Sequence, residues 1–133
     1  MRRVLVDSHC HLDAPEFDDD REAVIRRARD AGVLQQVIPA IDAQGWPKLR
    51  ELCGAAPGLF PAYGLHPMFL SGHRPEHLVQ LAHWLEKEQP VAVGECGLDY
   101  FVEGLEHEAQ QVYFDGQLAL ARDFGLPVIV HAR

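Results

Sequence analysis

The chain has 133 residues, 47% hydrophobic and 24% charged, with a net charge of -8. That suffices for a single domain, 1–133, and excludes a membrane-spanning helix, because no stretch approaches the roughly 20 uncharged apolar residues that cross a bilayer. The acidic balance also excludes a broad basic surface for gripping duplex phosphates.

Val4 to Val6 reads as the first strand, entered directly from Arg2-Arg3 with no apolar signal segment, so a cytoplasmic protein is expected. "DDDREAVIRRARDAG", Asp18 to Gly32, reads as a helix with an acidic start and a glycine stop. The alternation then repeats. "QQVIPA" precedes a helix from Asp42 to Gly54, "LFPAYG" a helix from about Pro75 to Lys87, and "VAVGE" a helix from about Leu105 to Phe124. "LPVIVHAR" adds a fifth strand.

Strand starts recur roughly every 30 residues, the length of a βαβ unit, and several strands are apolar at consecutive positions, as in strands covered on both faces. An α/β fold with a parallel sheet and helical crossovers follows. Val128-Ile129-Val130 has no helix after it to cover it, which implies either a fragment or an edge protected by another chain. The three cysteines, Cys10, Cys53 and Cys96, are odd in number and far apart, which fits a reducing compartment better than a disulfide framework.

His9 and His11 end the first strand two residues apart, so strand alternation puts both imidazoles on one face and Cys10 on the other. Two converging imidazoles suit a transition metal, although a pair of hydrogen-bonded loop histidines would look the same. Glu95 follows "VAVG" and His131 follows "VIV", each at the C-terminal end of an apolar strand. In βα folds those ends share one rim of the sheet, where ligands bind, so His9, His11, Glu95 and His131 together point to a metal site.

His66 in "YGLHP" can reach the same rim or be a loop histidine pinned by Pro67. Asp99 and Tyr100 in "GECGLDY" either orient substrate or shape a turn, and Asp13 can cap local backbone beside the histidines, which Asp7 flanks on the other side. His73, His77, His83 and His107 read as surface residues. Trp46 and Trp84 read as packing residues, and Arg26, Arg27 and Arg29 as a solvated helix face.

With "DSHCHLD", "GLHP", "VAVGECGLDY" and "LPVIVHAR" in this order, the sequence resembles the TatD family of metal-dependent hydrolases, within the amidohydrolase superfamily. "GLHPM" lacks the second histidine common after the proline in that family, which puts the chain nearer its uncharacterised hydrolase branch than its best-known DNases. The resemblance implies a TIM-type (β/α) barrel, of which five strands and four helices would be the first half. It implies that His9 and His11 bind one metal, that Glu95 bridges two, and that His131 binds the second. The family's later histidine and its general-base aspartate would lie beyond Arg133.

The implied cofactors are two divalent ions drawn from Zn, Mn, Mg, Ni, Co or Fe. The implied reaction is phosphodiester hydrolysis by metal-activated water, with His66 and Arg133 as candidates to bind a phosphate oxygen. The implied substrate is DNA, single-stranded or at an end, or a small phosphoester. An amide, lactone or phosphotriester is the nearest enzymatic alternative. An inactive metal-binding half-barrel that self-associates through its uncovered edge strand is the alternative of another class.

Overall fold

The computed structural model describes residues 3–133; Met1 and Arg2, and so part of the Arg2-Arg3 entry to the first strand, lie outside the described residues. Five strands alternate with four helices: β1 (Leu5–Asp7), α1 (Arg21–Asp30), β2 (Val33–Pro39), α2 (Trp46–Ala55), β3 (Leu59–Tyr63), α3 (Pro75–Glu88), β4 (Ala92–Leu98), α4 (His107–Phe124) and β5 (Val128–Ala132). The strands form one parallel sheet in the order β1-β2-β3-β4-β5. Consecutive parallel strands joined by helices are the repeat of a TIM-type barrel, and this sheet is a five-strand part of one.

The core lies between the sheet and its helices. Ile38, Leu59, Tyr63 and Val93 from the strands meet Trp46, Leu49, Leu81 and Leu85 from α2 and α3. Trp46, Tyr63 and Trp84 pack with ring centroids 5.1 to 6.4 Å apart. The buried Trp46 indole donates to the Gly64 carbonyl at 3.1 Å, which satisfies its one polar atom.

Helix starts are where the structure departs most from the sequence expectations. The expected helix from Asp18 begins only at Arg21, after a 3₁₀ turn at Pro15–Phe17. Arg21 explains the delay: its guanidinium donates to the carbonyls of Leu12 (2.7 Å) and Ala14 (3.0 Å) and pairs with Asp18, fixing the preceding segment as a loop. The second helix likewise begins at Trp46 instead of Asp42. The Asp42 carboxylate accepts from the Gly45 N–H at 2.9 Å and caps a separate 3₁₀ turn at Ala43–Gly45.

Two surface assignments are corrected. His73 is buried, 8% exposed, with Nε2 donating to the His66 carbonyl at 2.7 Å and its ring edge-on to Tyr113. Arg29 is half-buried and its guanidinium donates to the Pro57 carbonyl, while Arg26 and Arg27 are exposed. All three cysteines are free thiols, and burial pushes them up to about 11 at Cys10 and about 12 at Cys53 and Cys96. Among the described residues no helix is long and apolar enough to cross a membrane.

Candidate metal centre

Four histidines surround one carboxylate at the C-terminal end of the sheet. His9 and His11 follow β1, His66 follows β3, Glu95 lies in β4 and His131 in β5. The pairing of β4 with β5 shifts register between Val93 and Cys96, across the stretch that carries Glu95. Close strand approach there requires glycine. A Cβ on Gly64 would meet the Gly94 Cα at 2.7 Å, and one on Gly97, at φ 145°, would collide with the His131 carbonyl.

Glu95 is 4% exposed, and its two oxygens divide the histidines between them. Oε1 lies 2.8 Å from His9 Nε2 and 3.2 Å from His11 Nε2. Oε2 lies 3.3 Å from His66 Nε2 and 3.2 Å from His131 Nδ1. Burial pushes the Glu95 carboxyl up, but hydrogen bonds from His11 and His66 and the electrostatic pull of the surrounding imidazoles outweigh it and hold the group well below the usual carboxylate range. The hydrogen bond to Glu95 raises His11 against the opposing effect of burial. Glu95 is thus an anion at neutral pH.

The surrounding contacts assign the protons. His66 Nδ1 accepts from the Met68 N–H at 3.1 Å, so in the neutral ring Nε2 carries the proton and donates toward Glu95. His9 Nε2 and His11 Nε2 are 3.3 Å apart, both facing Glu95 Oε1. His131 Nε2 lies 2.8 Å from Asp99 Oδ2. Arg133 reaches the same oxygen through Nη2 (3.0 Å) and Nε (3.1 Å), with its guanidinium over the Phe101 ring.

Asp99 therefore joins the cluster, fully buried, whereas the exposed Tyr100 stacks on His107 with centroids 3.7 Å apart. Asp7 accepts from the His9 N–H at 3.1 Å. Asp13 and Lys48, with His11 and His66, line a cavity of about 530 Å³ beside the cluster, where Met68 and Phe69 add exposed apolar surface.

Sequence reading missed two glutamines that hold this rim in place. Gln117 Oε1 accepts from the Leu65 N–H (2.8 Å) and its amide donates to the Leu65 carbonyl (3.1 Å). Gln110 does the same for Asp99, at 2.7 and 2.9 Å. They are seven residues apart on α4, a spacing that returns to the same helix face and is the one signal that could have marked them.

The donor set suits a divalent metal. Ligand atoms of His9, His11 and Glu95 all lie within 4.8 Å of one another, as do those of His66, Glu95 and His131. Imidazoles around an ionised carboxylate are the ligands that zinc and its neighbours in the first transition row accept. In the second group the proton on His66 Nε2 leaves Glu95 and His131 as the lone-pair donors.

A parallel barrel segment with a histidine-carboxylate cluster at its strand C-termini belongs to the class of (β/α)-barrel proteins. Within that class the chain is a member of the TatD family: the family model for TatD related DNase matches residues 6–133. It is 42% identical over 130 residues to the uncharacterized metal-dependent hydrolase YjjV of Escherichia coli K12, covering 96% of this chain and 50% of that protein. Identity is 38% over 130 residues to the 3'-5' ssDNA/RNA exonuclease TatD of Pantoea vagans, covering 97% and 50%.

The crystal structure of Escherichia coli YjjV superposes with a TM-score of 0.92 at 42% identity, over 97% of this chain and 51% of that one. A TatD family hydrolase from Entamoeba histolytica shares the fold at a TM-score of 0.86 and 22% identity, over 100% and 51%. The chain spans about half the length of the curated relatives it matches.

Proposed function

We propose that this chain is the metal-binding part of a hydrolase that cleaves phosphodiester bonds of nucleic acid, with single-stranded DNA or DNA ends as substrate. The observation that carries this reading is the convergence of His9, His11, His66 and His131 on the buried Glu95 carboxylate. The relatives named as ssDNA/RNA exonucleases support the substrate class.

His9, His11 and Glu95 would hold one ion, and Glu95 and His131 part of the shell of a second, drawn from Zn, Mn, Ni, Co, Fe or Mg. Bound divalent ions supply acidified water as a nucleophile and polarise the phosphoryl oxygen under attack. Glu95, kept ionised by its histidines, anchors both groups of ligands. The His66 Nε2–H, the one imidazole donor aimed into the cluster by its own backbone contact, is placed to bind a phosphate oxygen beside the cavity. Arg133, exposed but anchored on Asp99, presents its remaining guanidinium N–H groups to the same rim.

Cleavage of a labelled single-stranded oligonucleotide by the protein containing this chain tests the reading. Chelation should abolish cleavage, and His9→Ala with His11→Ala should reduce it by about 100-fold or more, since two of the ligands are gone. Cleavage unaffected by either would contradict it. Turnover of an amide, lactone or phosphotriester in place of the oligonucleotide would retain the metal centre and change the substrate.

A second reading, a metal-binding half-barrel that pairs with another copy, is favoured by the apolar sheet edges, where Val4 and Val6 on one side and Val130 on the other are exposed. Metal bound without cleavage of any of these substrates favours it.

A further inference from the structure

We propose that Asp99 is a positioning residue for His131, taking its Nε2–H so that Nδ1 is left as a bare lone pair facing Glu95. This rests on the metal-centre reading above and adds a residue that sets the ligand's proton. Asp99 is fully buried, and both its oxygens are committed. Oδ1 accepts from the N–H groups of Phe101 (3.0 Å) and Val102 (3.1 Å), while Oδ2 faces His131 Nε2 at 2.8 Å and Arg133 at 3.0 and 3.1 Å.

An ionised carboxylate only accepts hydrogen bonds, so the short contact at Nε2 requires a proton on the ring nitrogen. The neutral imidazole has one proton to place, and its other nitrogen, 3.2 Å from Glu95 Oε2, is then free to bind metal. The carboxylate is itself held still: Gln110 clamps the Asp99 backbone from α4, and Arg133 braces its outer oxygen. Carboxylates that take the second proton of a metal-binding histidine fix its tautomer and orientation in this way.

The isosteric change Asp99→Asn separates this role from a merely structural one. The two backbone N–H groups cannot change their protonation, so the asparagine carbonyl must stay on Phe101 and Val102, and its NH₂ must turn toward His131. Arg133, being exposed, can swing into water, and His131 can relieve the clash only by moving its proton to Nδ1. The ligand would then present a proton to the metal side in a protein of nearly unchanged shape.

Histidine-selective ¹⁵N labelling of the full protein, metal-free and at a pH where the ring is neutral, reads the tautomer directly from its ring-nitrogen shifts. The expected result is an Nε2–H ring in the parent and an Nδ1–H ring in Asp99→Asn. In parallel, Zn²⁺ titrated calorimetrically should bind the variant about 10- to 100-fold more weakly, with helix content unchanged. Any other parent pattern, or the same pattern in both proteins, overturns the proposal even if the variant folds poorly, because the parent spectrum stands alone. Absence of Zn²⁺ binding by the parent would defeat the metal-centre reading while leaving the tautomer result to decide Asp99's role.

Discussion

Glu95 is a carboxylate withdrawn from water and given four imidazoles in exchange, and the four differ in what they offer it. His66 is committed to donate, His131 is committed on its far side to Asp99, and His9 and His11 share one oxygen. His73, one layer further in, donates to the His66 carbonyl, and its Nδ1 is buried without a partner. Burial lowers the His73 pKa from its ordinary 6.5. The unfolded chain thus takes up this proton at a higher pH than the folded one, so the contribution to stability is full above about 6.5 and is lost as pH falls through that value. His73→Gln, which keeps a donor for the His66 carbonyl, should lose less stability than the parent between about pH 7.5 and about pH 5.5 in urea denaturation. Equal losses in the two proteins would show that His73 does not titrate in this way.

The strands and helices were readable because each carries its own period and punctuation. Four of the clustered residues were readable too, since His9, His11, Glu95 and His131 each interrupt or follow a β-branched run at the same end. Their supports were not. Asp99 reads as either a substrate-orienting or a turn residue until its partner from β5 arrives, and His73 before Arg74-Pro75 looks like an exposed helix start. Gln110 and Gln117 on an amphipathic helix look like solvent-facing polarity, yet they act as a second ladder between α4 and the chain beyond β3 and β4. Gln117→Leu strands the buried Leu65 N–H and carbonyl without partners and should cost about 2 kcal/mol or more in equilibrium denaturation. A change below about 0.5 kcal/mol would mean that the helix is held by its apolar contacts alone.

Across the whole molecule, the parallel order β1 to β5 brings residues 86 positions apart in sequence into one cluster, since His9 and Glu95 meet only through β2 and β3 between them. Local pattern marks the corners of such a site, while strand order decides whether the corners touch. The register shift in β4 and the glycines at 64 and 97 set the final distances, and periodicity carries no information about them. Anomalous diffraction at the zinc absorption edge, from crystals of the protein grown with Zn²⁺, decides whether the Glu95 cluster holds metal. A peak about 2.0–2.2 Å from His9, His11 and Glu95 is the predicted result. Zinc sites elsewhere on the surface with none at Glu95 would contradict it.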